Sequence, residues 1–347
     1  DEEIEISKRQ EDIIKQIFID PTGHHTIVSL SNGDNYYLHS RSTRPKKFSK
    51  LSGCLECIAF DRRQITESST KNFLACTSTG CIYEICLDSS GKEKNCQLVF
   101  QLEDAIAITS IHFDSINSNN DGIFVMLATT QPTRLYHFLG GSTLSQVFAN
   151  YVKEKEKPEF QELPGEIARA ELLYFDTANS NQNKSPNQFQ KSFALMSQIG
   201  IYQGSIVFRE NAGAIRDSVT IEAHILPYSD SPKPEGFDES PLSIAATKLH
   251  FLTLQYDKLV CLSRLNGSIV QEEMLPVADG NGIGLIHDSA RGSIWMYTDT
   301  YIYQIIIVNE DKHVWSIYLE KALSGDERMF ETAYNHCKNP DEQLQVM

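Results

Sequence analysis

Positive charge is scarce in this chain. Its 347 residues include 31 lysines and arginines against 46 aspartates and glutamates, a formal net charge of −15. A polypeptide this acidic is repelled by a phosphate backbone unless its cations are strongly segregated, so nucleic acid is not an expected partner. Long apolar runs are missing too. Stretches such as Ile305-Ile306-Ile307-Val308 fall well short of the roughly 18 to 20 uninterrupted apolar residues that a membrane-spanning helix needs, and their length suits buried strands. The opening Asp1-Glu2-Glu3 has neither the basic flank nor the apolar core of a secretory signal, and no initiator methionine, so a fragment of a longer polypeptide is expected. Cysteine is dilute. The eight thiols, at 54, 57, 76, 81, 86, 96, 261 and 337, form no dense disulfide framework and point to a reducing compartment. Asn266-Gly267-Ser268 has the form of a glycosylation acceptor, which carries weight only in a secreted chain.

What the sequence does contain is a repeat. Hydrophobic residues at 41% and charged residues at 22% are globular values, and the apolar residues are organised as hairpins. Thr26 to Leu30 returns through Tyr36-Tyr37-Leu38, Phe73 to Thr77 through Ile82 to Ile85, and Phe124 to Ala128 through Leu135 to Phe138. Phe193 to Met196 returns through Ile201-Tyr202, Phe251 to Leu254 through Leu259 to Leu262, and Ile294 to Tyr297 through Ile302 to Ile305. Positions 37, 83, 136, 202, 260 and 303 are then 46, 53, 66, 58 and 43 residues apart. These intervals match the ~40 to 50 residues of a four-stranded propeller blade with loop insertions. Gly, Asn, Asp and Ser occupy the turns, as in Asn32-Gly33-Asp34 and Ser78-Thr79-Gly80, where positive φ costs glycine nothing. Additional strands, such as Cys57 to Phe60, Ile106 to Phe113, Ala170 to Phe175, Val219 to Leu226, Leu242 to Leu249 and Ile283 to His287, would complete each unit.

The expected fold is all-β, a seven-bladed β-propeller over residues 1–309 followed by the start of an α-solenoid over 310–347. The alternation Glu3-Ile4-Glu5-Ile6 supplies the seventh blade, incomplete at the N-terminus; six or eight blades are alternatives, and a large β-sandwich is the competing architecture. Residues 114–122, 176–190 and 227–241 read as surface loops. Leu144, Val147, Phe148 and Tyr151 make a helical stripe capped by Ser142 or Thr143. Past Asn309, Val314, Trp315, Tyr318 and Leu319 predict one helix. Ser324-Gly325-Asp326-Glu327 predicts a capping box for a second that carries Phe330, Ala333, Tyr334 and Cys337, and Asn339-Pro340-Asp341 predicts the start of a third.

No constellation for catalysis is visible. Cys54-Leu55-Glu56-Cys57 has zinc-ligand spacing, but Cys76, Cys81 and Cys86 do not supply the second pair that a structural site requires, so no metal is expected and the thiols read as core fillers. His24-His25 follows Asp20-Pro21-Thr22-Gly23, which reads as a turn hydrogen-bonded to its own backbone. The glycines of Gly280-Asn281-Gly282-Ile283-Gly284 precede a strand and not a helix, so they form an interblade loop and not a phosphate cradle. Catalytic residues, cofactors and metal ligands are therefore all expected to be absent. One electrostatic feature stands out: Arg41, Arg44, Lys46, Lys47 and Lys50 place five cations in ten residues without an acid. They are weak candidates for contact with an anionic membrane or acidic partner, against the commoner reading as a solvated loop. Lys153 to Lys157 is mixed in sign and reads as a solvated face.

Four segments together resemble successive landmarks of the deep orange family: Phe18 to His25, Thr79 to Glu84, Ala128 to Gly140, and Val314 to Leu319. Their order carries the resemblance, since each alone is a weak pattern. It implies an N-terminal β-propeller joined to a long α-solenoid, with a zinc-binding RING domain beyond it to which any ubiquitin-ligase activity would belong. It also implies a peripheral protein on the cytosolic face of late endosomes and the vacuole or lysosome. There it would work with other class C subunits of the HOPS and CORVET tethering complexes, and with small GTPases and SNARE proteins. The expected role is a non-enzymatic scaffold. The alternatives are an enzyme with its site in a central channel, and a membrane-surface module using the basic segment.

Overall fold

The computed structural model describes residues 4–6, 11–62, 68–116, 122–153, 157–167, 169–176, 190–211, 214–228, 240–288 and 292–347. The hairpins of the sequence become six consecutive antiparallel sheets, each a simple meander. The first comprises Ile14–Ile19, His25–Leu30, Asn35–His39 and Lys46–Lys47, and the second Leu55–Ala59, Ser69–Thr77, Cys81–Asp88 and Glu93–Gln101. The third comprises Ile108–Ser115, Ile123–Thr129, Arg134–Gly140 and Glu159–Glu162, and the fourth Leu172–Asp176, Gln190–Met196, Gly200–Asn211 and Ala214–Pro227. The fifth comprises Ser243–Ala246, His250–Leu254, Lys258–Ser263 and Ile269–Met274. The sixth has three strands, Gly282–Asp288, Ser293–Thr298 and Ile302–Ile305.

Burial changes along each meander. Every residue of Ile123–Thr129 is buried, whereas every residue of Glu159–Glu162 and of Ile269–Met274 is exposed. A second strand covered on both faces explains why the repeat reads as continuous apolar runs and not as strict alternation. Facing sheets share cores. Cys57, Leu74 and Ile82 of the second sheet pack with Ile108, Val125 and Phe138 of the third, and Ile27 and Tyr37 of the first pack with Phe73 and Ile85 of the second. Ala245, Leu252 and Leu254 of the fifth sheet pack with Leu285, Ile294 and Met296 of the sixth. The chain divides into two compact units, residues 1–225 with 288–292, and residues 226–287 with 293–347.

The count of seven blades is corrected to six. Ile4 to Ile6 form no strand, and Ile6 lies against Val28, Leu30 and Tyr36 of the first sheet. Packing of that side chain on an existing sheet takes the place of a further blade; Asp1 to Glu3 lie outside the described residues. Most of the predicted surface loops also lie outside them, at 117–121, 177–189 and 229–239. The single helix expected after Thr143 is two short ones, α1 (Leu144–Val147) and α2 (Ala149–Lys153), divided at Phe148. Its apolar stripe is retained: Leu144, Val147 and Phe148 are buried in the core of the third sheet with Tyr151 against them.

Three helices follow the sixth sheet: α3 (Val314–Leu323), α4 (Met329–His336) and α5 (Pro340–Val346). Tyr318 stacks on His336 with ring centroids 5.3 Å apart, and Lys338 pairs with Asp311. Residues before and within α3 thus meet residues late in and after α4, as an antiparallel pair requires. The predicted capping box does not form. Helix α4 begins later, with Arg328 at its N-cap, and the Ser324 hydroxyl donates back to the Lys321 carbonyl oxygen at 2.8 Å. Asn339 does cap α5, its side-chain oxygen accepting from the Glu342 N–H at 2.9 Å.

Candidate interaction surfaces

Of the eight cysteines, Cys57 and Cys76 are buried and the other six half-buried. Cys57 and Cys76 are buried cross-strand partners, and the Cys57 thiol donates to the Ile108 carbonyl oxygen at 3.3 Å. Burial, first of all, and then the Cys76 side chain hold the Cys57 pKa well above the ordinary thiol value, so it is neither a ready nucleophile nor a ready ligand. Cys54 instead points to the Leu30 and Ser31 carbonyls at 3.6 and 3.3 Å. No group of three or more metal-ligating side chains assembles among the described residues.

The turn at Asp20 is built as its sequence predicts. One carboxylate oxygen accepts from the His24 and His25 N–H groups at 3.0 and 2.9 Å, the other from the Thr22 hydroxyl at 2.7 Å, and Gly23 takes φ +73°. The Gly280 to Gly284 segment runs directly into the first strand of the sixth sheet, with Gly280 at φ +78°.

Arg41, Arg44, Lys46, Lys47 and Lys50 are all exposed. The expected loop is in part a strand: Lys46 and Lys47 pair with Tyr37 and Tyr36 and form the outer edge of the first sheet. The Lys47 ammonium donates to Asp34 at 2.6 Å, which offsets one charge. Lysine on an outer strand discourages pairing with another chain, because addition of a strand would bury the cation. The same placement leaves a cationic edge available to an anionic surface.

The second surface was not anticipated from sequence. Where the sixth sheet passes into α3, the Glu310 carboxylate accepts from the Leu249 N–H at 2.6 Å and from the Thr247 hydroxyl, and lies 3.5 Å from the His250 ring nitrogen Nδ1. Burial alone would raise its pKa; the nearby His250 ring and the bonds from Thr247 and Leu249 outweigh burial and hold it at about 2. Beside it the Arg264 guanidinium donates to the Thr247 and Lys248 carbonyls at 3.0 and 2.7 Å and lies over the Phe251 ring. The Glu310 bonds join the segment that leads into α3 to the fifth sheet. Leu249, His250 and Glu310 also border an apolar cavity of about 230 Å³ lined by Leu252, Leu259, Val270, Ile306, Val308 and Ile317. No sequence motif marks Glu310, because its partners are some 60 residues away.

No described helix is long and apolar enough to cross a membrane. The profile of the Pep3/Vps18/deep orange beta-propeller domain matches residues 1–307. Vacuolar sorting protein 18 of Arabidopsis thaliana is 30% identical over 358 aligned positions that cover 100% of this chain and 34% of that protein. The Danio rerio homologue of vacuolar protein sorting-associated protein 18 is 25% identical, with 99% and 35% covered. Vacuolar membrane protein pep3 of Schizosaccharomyces pombe is 21% identical, with 88% and 32% covered. A solved Dos1 propeller matches 84% of this chain at 9% identity and a TM-score of 0.48. The chain spans about a third of the length of these curated relatives. Its six sheets are the blades of a β-propeller, and the chain belongs to the Pep3/Vps18/deep orange beta-propeller family.

Proposed function

We propose that this chain is the N-terminal, non-enzymatic interaction platform of a subunit of a membrane-tethering complex, of the HOPS and CORVET kind, that works in docking and fusion at the endosome and vacuole. The observation that carries the reading is the family match along 1–307 together with the passage of the last sheet into antiparallel helices. The relatives are named for vacuolar sorting and the vacuolar membrane. In mechanical terms the sheets present strand edges and loops, and the helices lead on into the rest of the assembly, so affinity resides in surface patches. Affinity purification of the full-length protein from its own cells is the test. Other class C tethering subunits should be recovered with it, together with small GTPases and SNARE proteins. Recovery of none of the tethering subunits would overturn the assignment, and reproducible small-molecule turnover by the purified chain would overturn the non-enzymatic reading.

A second reading rests on the exposed cations of the first sheet, which would let the platform touch an anionic membrane directly. Sedimentation with vesicles containing phosphatidylserine, compared between the native protein and the triple variant Arg44→Glu, Lys46→Glu, Lys47→Glu, decides it. Equal sedimentation removes this reading.

A further inference from the structure

Within the second compact unit, the loop from the fifth sheet to the sixth is tied down on both sides. On one side the Leu275 N–H donates to the Asp257 carbonyl oxygen at 2.7 Å and the Gly282 N–H to that of Tyr256 at 3.0 Å, both in a hairpin turn of the fifth sheet. On the other, the Thr298 and Thr300 hydroxyls donate to the Asp279 carbonyl oxygen, each at 2.5 Å, and the Asp299 N–H donates to the Asn281 carbonyl oxygen at 3.3 Å. The Tyr303 hydroxyl adds a bond to the Asp279 carboxylate. Between these ties Val277–Asp279 makes a single 3-10 turn, closed by the Asp279 N–H on the Pro276 carbonyl oxygen at 2.8 Å.

What this frame presents is apolar. Val277 is 99% exposed, and Tyr256 and Met274, next to the ties that hold its loop, are 63% and 64% exposed. Single exposed apolar residues are ordinary on a protein surface, but a group of them fixed by backbone bonds loses little freedom when covered, which is what an interface anchor requires.

The charge around Val277 has one sign. Asp257 and Asp299, in the turns on either side, are exposed, and neither is in an ion pair among the described residues. Residues 254–259, 272–282 and 296–305, which build this end of the sheets, hold one cation, Lys258, and Glu272 matches it at 2.7 Å. Arg264, Lys312 and Lys321 belong to the other end. The Arg264 guanidinium binds the Thr247 and Lys248 carbonyls, the Lys321 ammonium the Leu265 carbonyl, and the Lys312 N–H donates to Asn309 beside Glu310. The five residues of His250–Leu254 separate that end from Tyr256. At about 3.3 Å each they span roughly 17 Å, about two Debye lengths at physiological ionic strength. A basic partner is therefore attracted to the Val277 end and an acidic one repelled. Arginine suits it best, since a guanidinium pairs with a carboxylate and also lies flat on a tyrosine ring.

We propose that the loop around Val277 docks a basic segment of a partner protein, whose apolar side chains cover Val277 and whose arginines meet Asp257, Asp299 and the Tyr256 ring. This holds whichever complex the chain serves. Fluorescence anisotropy of the full-length protein with a labelled ten-residue peptide of alternating arginine and leucine tests it. A second peptide has glutamate in place of arginine.

The arginine peptide should bind saturably and the glutamate peptide should not. Val277→Asp separates apolar contact from charge attraction: it adds a negative charge at an exposed position, so attraction alone predicts equal or tighter binding. Docking on Val277 predicts binding weaker by about tenfold or more. Asp257→Asn combined with Asp299→Asn should weaken it to a similar extent. No saturable binding of the arginine peptide, equal binding of the glutamate peptide, or undiminished binding to Val277→Asp would each overturn the proposal. Binding that appears only after residues 229–239 are replaced by a glycine and serine linker would show that the chain covers this surface itself, and would overturn it as well.

Discussion

Replacing Glu310 should loosen the attachment of the helices to the fifth sheet in a pH-dependent way. Its carboxyl is held at about 2 against an ordinary 4.5, a difference worth roughly 3 kcal/mol at about 1.4 kcal/mol per pKa unit. The side chain is 23% exposed, and solvent screening brings the expected contribution to about 1–2 kcal/mol. Glu310→Gln keeps the shape and the acceptor for the Leu249 N–H, so it should lose this electrostatic part. Glu310→Ala also leaves that N–H without its acceptor and should cost about 1 kcal/mol more. The sign follows from linkage: a depressed carboxyl stabilises the fold fully above its unfolded value, and the contribution is lost as pH falls through the folded one. About three-quarters of it should remain at pH 4 and under half at pH 3. Both tryptophans, Trp295 and Trp315, lie in the second compact unit, so urea unfolding followed by tryptophan fluorescence reads this region selectively. A Gln variant as stable as the native protein at pH 7, or a difference that does not shrink between pH 7 and pH 3, would refute the clasp.

Phe138 is fully buried between the second and third sheets and α1. Phe138→Ala should cost about 3–5 kcal/mol by chemical denaturation, and a loss below 1 kcal/mol would argue against that shared core. Burial, chiefly, and then the Arg62 guanidinium push the His112 pKa down to about 3. Its Nε2–H donates to the Leu172 carbonyl oxygen at 2.7 Å, and Nδ1 accepts from Arg62 at 3.1 Å. The imidazole should stay neutral in NMR titration from pH 8 to pH 4. Because its folded pKa lies below the unfolded one, it should withdraw stability as pH falls through about 6.5 toward 3; a midpoint near 6.5 in the folded protein would sink this. Asn339→Ala removes the α5 cap and should cost about 1 kcal/mol, read as increased amide exchange at Glu342. Unchanged exchange there would refute the cap.

The amino-acid sequence by itself determined the strands, the turns and the helical tail. Continuous runs such as Phe124 to Ala128, buried on both faces, announce inner strands. Asp20 and Asn339 act on backbone groups within five residues of themselves, so their roles are local and legible. Local information also led to errors. The alternation Glu3 to Ile6 suggested a seventh blade, yet Ile6 is used to cover Val28 and Leu30. Ser324 to Glu327 has the spacing of a capping box, but the helix starts after it.

The basic segment was legible as a composition contrast, while its pairing with Tyr36 and Tyr37 as an edge strand was not. Only the tertiary structure decided what Glu310 and the last sheet do. Nothing along the chain near Glu310 points to Thr247, Leu249 and His250, which the fold brings to it from the fifth sheet. Among the described residues the last sheet has three strands where each of the others has four, a difference that the hairpin Ile294 to Ile305 does not announce. Short-range propensity acts along a few residues of chain, whereas a carboxylate's partners and a strand's neighbours are set by which distant segments share a core.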